Sequence, residues 1–455
     1  MTDQHDQRDP VPGHPPPGDG RTHPEASPAR LTLGWRQATA VTLSEHVDRY
    51  GPLPRPGYSR QLRPGALADA VAAAGLTGRG GASFPTGTKL QAVASGRGPA
   101  VVVANGMESE PASQKDCALL THAPHLVLDG ADLAAAAVQA DIVHICLPRT
   151  ATRLVDQVCR AVQDRRRSGV GSTPIEVHDV PPHYVSGEET ALVRWLNGGE
   201  ARPLSSSQRP FERGVRRRPT LIDNVETLAH IALIGRFGPA WFRQAGLADA
   251  PGTMLATVSG AVRHPGVYEL AAGTPIGALL AWSRAAPDAA AVLIGGYFGT
   301  WHEARSAAGI PMSPQWLGRA GASPGAGVLI VLPAAACGLS ETARVLGYLA
   351  GQSAGQCGPC AFGLPAIAAD FADLASGRAD AAVLERLERR FGVLTGRGAC
   401  RHPDGAVRLA ASALTVFAAD ARAHAGHLPC APAQLGAAGG GVMPVPRPWT
   451  EGEWE

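Results

Sequence analysis

The spacing of apolar residues divides the chain into three regimes. PGALADAVAAAGL (64–76) repeats its apolar positions with helical period, and PAVVVANG (99–106) is a short apolar run of strand type. APHLVLDGADLAAAAVQA and ATRLVDQVCRAVQDRRR carry the helical period again, while DIVHICLP and IEVHDVP again read as strands. Helices alternating with strands predict an open, largely parallel sheet, an α/β domain taken as residues 36–248. The rhythm then changes. MLATVSGAVRHPGVYEL alternates around a Pro-Gly turn, TPIGALLAWS reads as a short helix and AAVLIGGYFG as a strand, so residues 249–315 are taken as a small β-grasp-like domain. Beyond it LSETARVLGYLAGQ, LPAIAADFADLASG, AAVLERLERRFGVL and GAVRLAASALTVFAADARAH are amphipathic and predict a helical bundle over 316–428. The proline-rich polar start, 1–35, is expected to be a disordered tail and 429–455 a loose one.

Composition narrows the function classes. The chain has 455 residues, 45% hydrophobic and 18% charged, with a formal net charge of +2. That balance gives no general attraction to nucleic acid or anionic lipid, and the local run RGVRRRP (213–219) reads as a solvated loop. The most apolar run, AGVLIVLPAAAC (326–337), is broken by Pro333 and falls well short of the roughly 18 residues a membrane span needs. No apolar leader region opens the chain, so a soluble, cytoplasmic protein without direct membrane insertion is expected. Eight cysteines in such a setting point to a reducing compartment, where close pairs suit metal better than disulfides. Among 41 basic residues only Lys89 and Lys115 are lysines. A chain that otherwise uses Arg keeps a lysine where a compact ammonium is required.

Four polar segments carry the candidate chemistry. GRGGASFPTGTK (78–89) places Gly78, Gly80 and Gly81 ahead of Gly87 and Lys89, a backbone cradle for an anion with a point charge beside it. It is neither the dinucleotide G-x-G-x-x-G nor the phosphate loop G-x-x-x-x-G-K-[ST]. NGMESEPASQKD gathers Asn105, Glu108, Glu110, Lys115 and Asp116; YVSGEET brings Tyr184, Gly187, Glu188 and Glu189; PTLIDNVET brings Asp223, Asn224 and Thr227. Any one of them reads equally as a solvated loop. Together they predict a ligand with phosphate at one end and many hydrogen-bonding atoms at the other, a nucleotide or a flavin. GQSAGQCGPCAFG (351–363) adds a C-x-x-C step, Cys357 and Cys360. By itself that step suits an iron–sulfur cluster, a thiol–disulfide redox motif or a structural zinc.

In order, GLTGRGGASFPTGTK, NGMESEPASQKD, YVSGEETAL, PTLIDNVETL, VSGAVRHPGVYEL, GQCGPC and the late Cys400 resemble the flavoprotein (NuoF-type) subunit of respiratory NADH dehydrogenase, complex I. Related subunits of soluble hydrogenases and formate dehydrogenases share the pattern, and the resemblance spans about residues 65–425. It implies a Rossmann-like FMN-binding domain, a ubiquitin-like β-grasp (SLBB) domain and a helical bundle carrying a 4Fe-4S cluster. Hydride would pass from NAD(H) or NADP(H) to FMN, and electrons would leave singly through the iron–sulfur centre. The acceptor would be a ferredoxin-like or thioredoxin-fold iron-sulfur subunit, or a membrane redox protein at the inner face of a membrane. Carried over by residue, the FMN cradle falls on Gly78, Gly80, Gly81 and Lys89, with Asn105, Glu108, Tyr184, Gly187, Glu188, Glu189, Asp223, Asn224 and Thr227 lining the rest. Phe84 would stack on the nicotinamide, Glu110 and Glu189 would stand near its ribose and ring, and Cys357, Cys360 and Cys400 would bind the cluster.

The chain departs from the family at several places. Met107 stands where the family's N-A-D-E has its aspartate, Leu90 replaces an aromatic after the lysine, and Asp223 replaces an asparagine. LSSSQRPFERG (204–214) replaces the loop that grips the adenine end, with Arg209 or Arg213 as substitutes that would suit a phosphorylated dinucleotide. Ala354 occupies the first thiolate position of C-G-x-C-x-P-C. Three outcomes are open for the cluster: one iron bound by water or another side chain such as Ser353 or His402, a three-iron cluster, or none. Cys337 is a further ligand only if the fold brings it near. Two rival functions follow from the same departures, a catalytically degenerate scaffold and a flavin-only reductase.

Overall fold

The structure is a computed structural model that describes residues 29–35, 41–53, 65–205, 209–380, 382–434, 441–446 and 454. Its first sheet has four strands, β1 (Ala100–Asn105), β2 (Ala140–Pro148), β3 (Ile175–Val180) and β4 (Thr220–Asn224), all parallel in the order β3-β2-β1-β4. The expected parallel α/β arrangement is therefore present. Alternation along β1 explains why PAVVVANG is apolar throughout. Val102 and Ala104 join a core with Leu126, Ala134, Leu228 and Ile231 on one face, and Val101 and Val103 join Cys146, Ile222 and Leu192 on the other. The first of these faces is covered by the helices Pro124–Val138 and Val225–Phe242. These two helices approach so closely that a Cβ at Gly130 would lie 1.8 Å from the Leu228 carbonyl oxygen, so this position admits only glycine.

Strand order sets where a ligand can sit. The chain leaves β1 toward β2 and β3 on one side, while β4 lies on the other, so the order reverses beside β1 and opens a crevice at the carboxyl ends of β1 and β4. The register aligns Asn105 with Asn224 and Ala104 with Asp223 there. Two helices that the apolar pattern does not reveal frame this crevice. Thr86–Ala94 carries Lys89, which the sequence pattern places in a loop, and Lys115–His122 begins inside the acidic segment. Glycines and charges in both stretches mask the helical period.

The second sheet contains β5 (Thr253–Gly260), β6 (Gly266–Ala271), β7 (Ala289–Ile294), β8 (Thr300–Glu303) and β9 (Val328–Pro333), in the order β6-β5-β9-β7-β8. Only the central β5–β9 pair is parallel. β9 corrects the boundary at 315: this strand, assigned by sequence to the helical region, completes the second sheet. It reads as an unbroken apolar run because both its faces are buried. Val328, Ile330 and Leu332 pack with Leu339, Leu349 and Phe371 of the helical region, while Leu329 packs with Ile276 and Leu279 of the helix Ile276–Trp282. Helices Gly338–Gly351, Leu364–Ala375, Val383–Leu394, His402–Val416 and Ala418–Ala425 follow.

Both expected tails need correction where the structure describes them. The backbone N–H groups of Arg30, Leu31 and Thr32 donate to the Glu269 carboxylate on β6 at 2.9, 3.0 and 3.0 Å, and Leu31 and Trp35 are buried. A carboxylate satisfying three successive amides fixes a segment that lacks secondary structure of its own. Near the other end, the N–H groups of Val442 and Met443 donate to Glu341 at 3.2 and 2.9 Å, and Trp454 stacks on His183 with ring centroids 3.8 Å apart. Residues 1–28, 435–440, 447–453 and 455 of those tails lie outside the described residues. No helix among the described residues is long and apolar enough to cross a membrane.

Candidate functional site

At the ends of β1 and β4 the four polar segments meet. Asn105 donates from its side chain to the Gly187 carbonyl at 2.8 Å, and the Asn224 side chain donates to the Asn105 carbonyl at 3.4 Å and to Asp116 at 2.6 Å. Lys89 reaches across from its helix to Glu189 at 2.7 Å, to the Ile222 carbonyl, and to within 3.6 Å of Asp223. Burial works against the Lys89 ammonium, but Asp223 and Glu189 outweigh it and raise its pKa above the usual lysine range. Asp223, deeply buried, is pushed up to about 6 by desolvation, with Glu189 adding and Lys89 opposing. Lys115 is buried between Asp116 (2.7 Å) and Glu226 (2.9 Å) and donates to Asn224 at 3.2 Å. Both lysines thus serve this crevice, as their scarcity predicts.

Several predicted residues turn out to hold the protein's own backbone. Glu108, at a left-handed φ of 38°, accepts from Ser113 and from the N–H groups of Asp116 and Cys117, closing the start of the helix Lys115–His122. Burial and the adjacent Asp116 carboxylate raise its pKa. Glu188 caps the helix Glu189–Leu196 through the N–H groups of Thr190 and Ala191. Thr227 accepts from the Arg79 N–H at 2.9 Å and so anchors the glycine loop to the helix after β4. Glu110 and Glu189, expected as a pair, have different partners. Glu110 accepts from the Tyr184 hydroxyl (2.8 Å) and the N–H groups of Tyr297 (2.8 Å) and Ala112 (3.2 Å), and burial pushes it up to about 7. It lies where the first domain meets the β7–β8 turn, whereas Glu189 stays with Lys89 and is almost half exposed. Phe84 is 51% exposed beside the loop, its carbonyl accepting from the Gly78 N–H.

The residues fit a flavin mononucleotide on several counts. Among the described residues, the Gly80 and Gly81 N–H groups make no hydrogen bond and precede the helix Thr86–Ala94, an arrangement suited to phosphate. Asp223 Oδ2 and Ser109 Oγ are buried without a partner. A Cβ at Gly187 would come within 2.6 Å of that Ser109 oxygen, and one at Gly80 within 3.3 Å of the Asn224 Cβ, so both glycines keep the hollow open. Sequence reasoning passes over Ser109 and Glu226, although both lie inside quoted motifs; only burial distinguishes them. A cavity of about 20 Å³, water-sized, lies against the glycine loop, lined by Gly78, Arg79, Ser83, Lys115, Glu226 and Gly325. Met107 is buried with Val101 and Val103, so the lost aspartate has become core.

The thiols converge nearby. Cys360 sits in a π-helical turn, Pro359–Gly363, and its thiol is pushed up to about 12 by burial and then by Cys357 and Cys400. Burial likewise raises Cys400, which also feels Glu188, the cap of the helix that carries Glu189. The loop through Ala354 docks on that helix through Gln356, which accepts from Arg194 at 3.2 Å and donates to the Pro203 carbonyl at 2.8 Å. Three thiols in electrostatic range of one another fit an iron–sulfur centre with three thiolate ligands. His402 is committed at Nε2 to the Leu349 carbonyl (2.8 Å), while its buried Nδ1 has no partner. Cys337 is gathered with His424 and Cys430 instead. Arg209 and Arg213 are exposed beside Pro210, and residues 206–208 of that loop lie outside the described residues.

Residues 71–233 match the family described as Nuo51 FMN-binding domain, and residues 340–424 the NADH-ubiquinone oxidoreductase-F iron-sulfur binding region. The second F subunit of the NADH-quinone oxidoreductase of Rhizobium meliloti (strain 1021) is 30% identical over 385 residues, covering 80% of this chain and 90% of that protein. The corresponding F subunit of Escherichia coli (strain K12) is 29% identical over 415 residues, covering 86% and 92%. Among solved structures, an NAD+-reducing [NiFe]-hydrogenase in the H2-reduced state superposes with a TM-score of 0.74 at 30% identity, over 80% of this chain and 63% of that one. The present chain therefore spans less than two thirds of the hydrogenase chain but about nine tenths of the two bacterial F subunits. With the glycine loop and crevice inside the first matched region and Cys357, Cys360 and Cys400 inside the second, the chain belongs to the family of NADH-quinone oxidoreductase F subunits.

Proposed function

We propose that this chain oxidises NADH at an FMN held over the ends of β1 and β4 and delivers the electrons singly through an iron–sulfur centre on Cys357, Cys360 and Cys400. The observation that carries the reading is the meeting of Lys89, Asp223, Asn224 and Asn105 at the switch point, with Glu188 in electrostatic range of Cys400. Bound FMN supplies the exchange between a two-electron hydride and single electrons. The chain's own groups do the rest. The free amides of Gly80 and Gly81 receive the phosphate, Lys89 fixes a positive charge at the crevice, and exposed Phe84 offers a face for the nicotinamide. Glu189 is open to the ribose, and Glu110, through Tyr184, ties that side to the second sheet, read here as the SLBB domain.

Relatives named as subunits imply partner subunits, and an iron–sulfur protein of ferredoxin-like or thioredoxin fold, or a membrane redox protein, fits a single-electron exit in the cytoplasm. Ala354 favours a second reading, a flavin-only reductase, because one iron has no thiolate. Anaerobic purification separates the two. The first reading requires flavin bands with a broad brown absorbance, both bleached by NADH or NADPH. A yellow protein without iron supports the second, and a colourless one indifferent to both dinucleotides sinks both.

A further inference from the structure

We propose that His144, His178 and Glu176 form a binding site for a divalent transition-metal ion of the zinc class on the parallel sheet, independent of the flavin and cluster residues. The three residues meet by strand register. His144 on β2 pairs with Glu176 on β3, and His178 stands two residues on from Glu176, so all three project from one face. Their ligand atoms converge: His144 Nδ1 lies 2.9 Å from His178 Nε2, and Glu176 Oε2 lies 3.4 Å from the first and 3.6 Å from the second. A tetrahedral zinc with bonds of about 2.0–2.1 Å holds its ligand atoms about 3.3 Å apart, and the three separations lie within about 0.4 Å of one face of such a tetrahedron, the two imidazoles needing to part slightly to admit the ion.

A hydrogen bond between the imidazoles together with an ion pair from Glu176 to a protonated ring would need two separate contacts, whereas one bound ion accounts for all three separations at once. The nearby positive charge of Arg218 is engaged by Asp141 and by the carbonyls of Pro99 and Ala100, leaving Arg216 as the opposing cation. Burial differs across the set. His144 is buried, His178 is partly open and Glu176 is more than half exposed, which leaves the fourth position to water and gives the ion a path in. β3 is an edge strand, so the ion ties it to β2 on the face where Cys146 packs against Leu192 and Val193 of the helix Glu189–Leu196. Its role is a cross-link under the helix that presents Glu189 to the crevice.

The test is a Co2+ titration of the full chain with its own cofactors in place, read by visible absorption and by competition with a weak chelator. One equivalent is expected to bind without a sulfur-to-metal charge-transfer band and to be displaced by Zn2+. Glu176→Gln and His178→Ala should each weaken that equivalent by about 100-fold or more, beyond the loss typical of removing a hydrogen-bond partner that only orients a ligand. Cys357→Ser should leave it unchanged. Equal binding by wild type and both ligand variants, or no retained ion in the wild type, would overturn the proposal. Glu176 is a surface side chain, so Glu176→Gln keeps the test decisive if His178→Ala does not fold.

Discussion

At the scale of single residues, the crevice is governed by which charges are paired. Lys89 neutralises Glu189 and the buried Asp223, so Lys89→Met leaves a buried carboxylate without its cation. We expect a loss of about 3 kcal/mol in a denaturant titration and failure to retain flavin through gel filtration. Asp223→Asn should leave flavin bound. Because Asp223 titrates at about 6, the wild-type flavin potential should show an added inflection near that pH that the variant lacks, and its persistence in the variant would remove Asp223 from the flavin environment. Ala354→Cys offers the missing thiolate at the position where the family has one. Iron content per chain should rise and the cluster should resist chelators longer; unchanged iron would mean that another group already serves that iron. These positions were legible because Lys is rare and the motifs are short and local. Ser109 was not, since a hydroxyl becomes informative only once it is buried without a partner.

At the scale of elements, buried charges join helices that are distant in sequence. Asp129 binds His46 at 2.6 Å, Arg165 at 2.6 Å and Arg236, and so links four helices. Burial opposes its charge, and those three partners hold its carboxyl far below the usual range. Asp129→Asn should cost about 3–5 kcal/mol, measured as a shift in urea midpoint, because two buried guanidinium groups lose their counter-ion. Glu269→Gln tests the anchored segment 29–35. The variant should lose about 2 kcal/mol and exchange the Leu31 and Thr32 amide hydrogens faster, with the rest of the protein unaffected. The alternating helices and strands of the first domain were readable because each strand lies between helical stretches with a clear period. β9 was readable as apolar but not as a partner of β5, because pairing across some 70 residues leaves no local trace. The helix carrying Lys89 was hidden in part by Gly87, which close packing requires: a Cβ there would come within 2.6 Å of the Ala72 Cβ on the helix Ala66–Ala74.

For the whole molecule, the carboxyl groups fall into two sets with opposite pH dependence. Glu110 and Asp223, raised to about 7 and about 6, bind protons more tightly when folded; their contribution is present below the unfolded values near 4 and is lost as pH rises through 6 to 7. Asp129 and Glu226, the latter lowered to about 2, contribute above pH 4 and lose that contribution as pH falls toward 2. Buried His125 and His402, each lowered to about 4, act in the opposite sense to Glu110 and Asp223, contributing above the unfolded value near 6.5 and losing that contribution as pH falls toward 4. The carboxyl part is isolated by comparing the cofactor-free protein with its Glu110→Gln variant: the wild type's urea midpoint should lose ground to the variant's as pH rises from 5 to 8, and a constant difference would contradict this. Sequence alone determined the alternating α/β order and the glycine, lysine and carboxylate segments that point to a nucleotide or flavin. Each of these is written in short patterns of apolar period, glycine and charge that act within a few residues of one another. Tertiary structure alone decided which carboxylates face the crevice and which close helices, why residues 29–35 are fixed, and that His144, Glu176 and His178 converge. Those outcomes depend on burial and on register between strands, which arise only when distant segments pack and water is excluded.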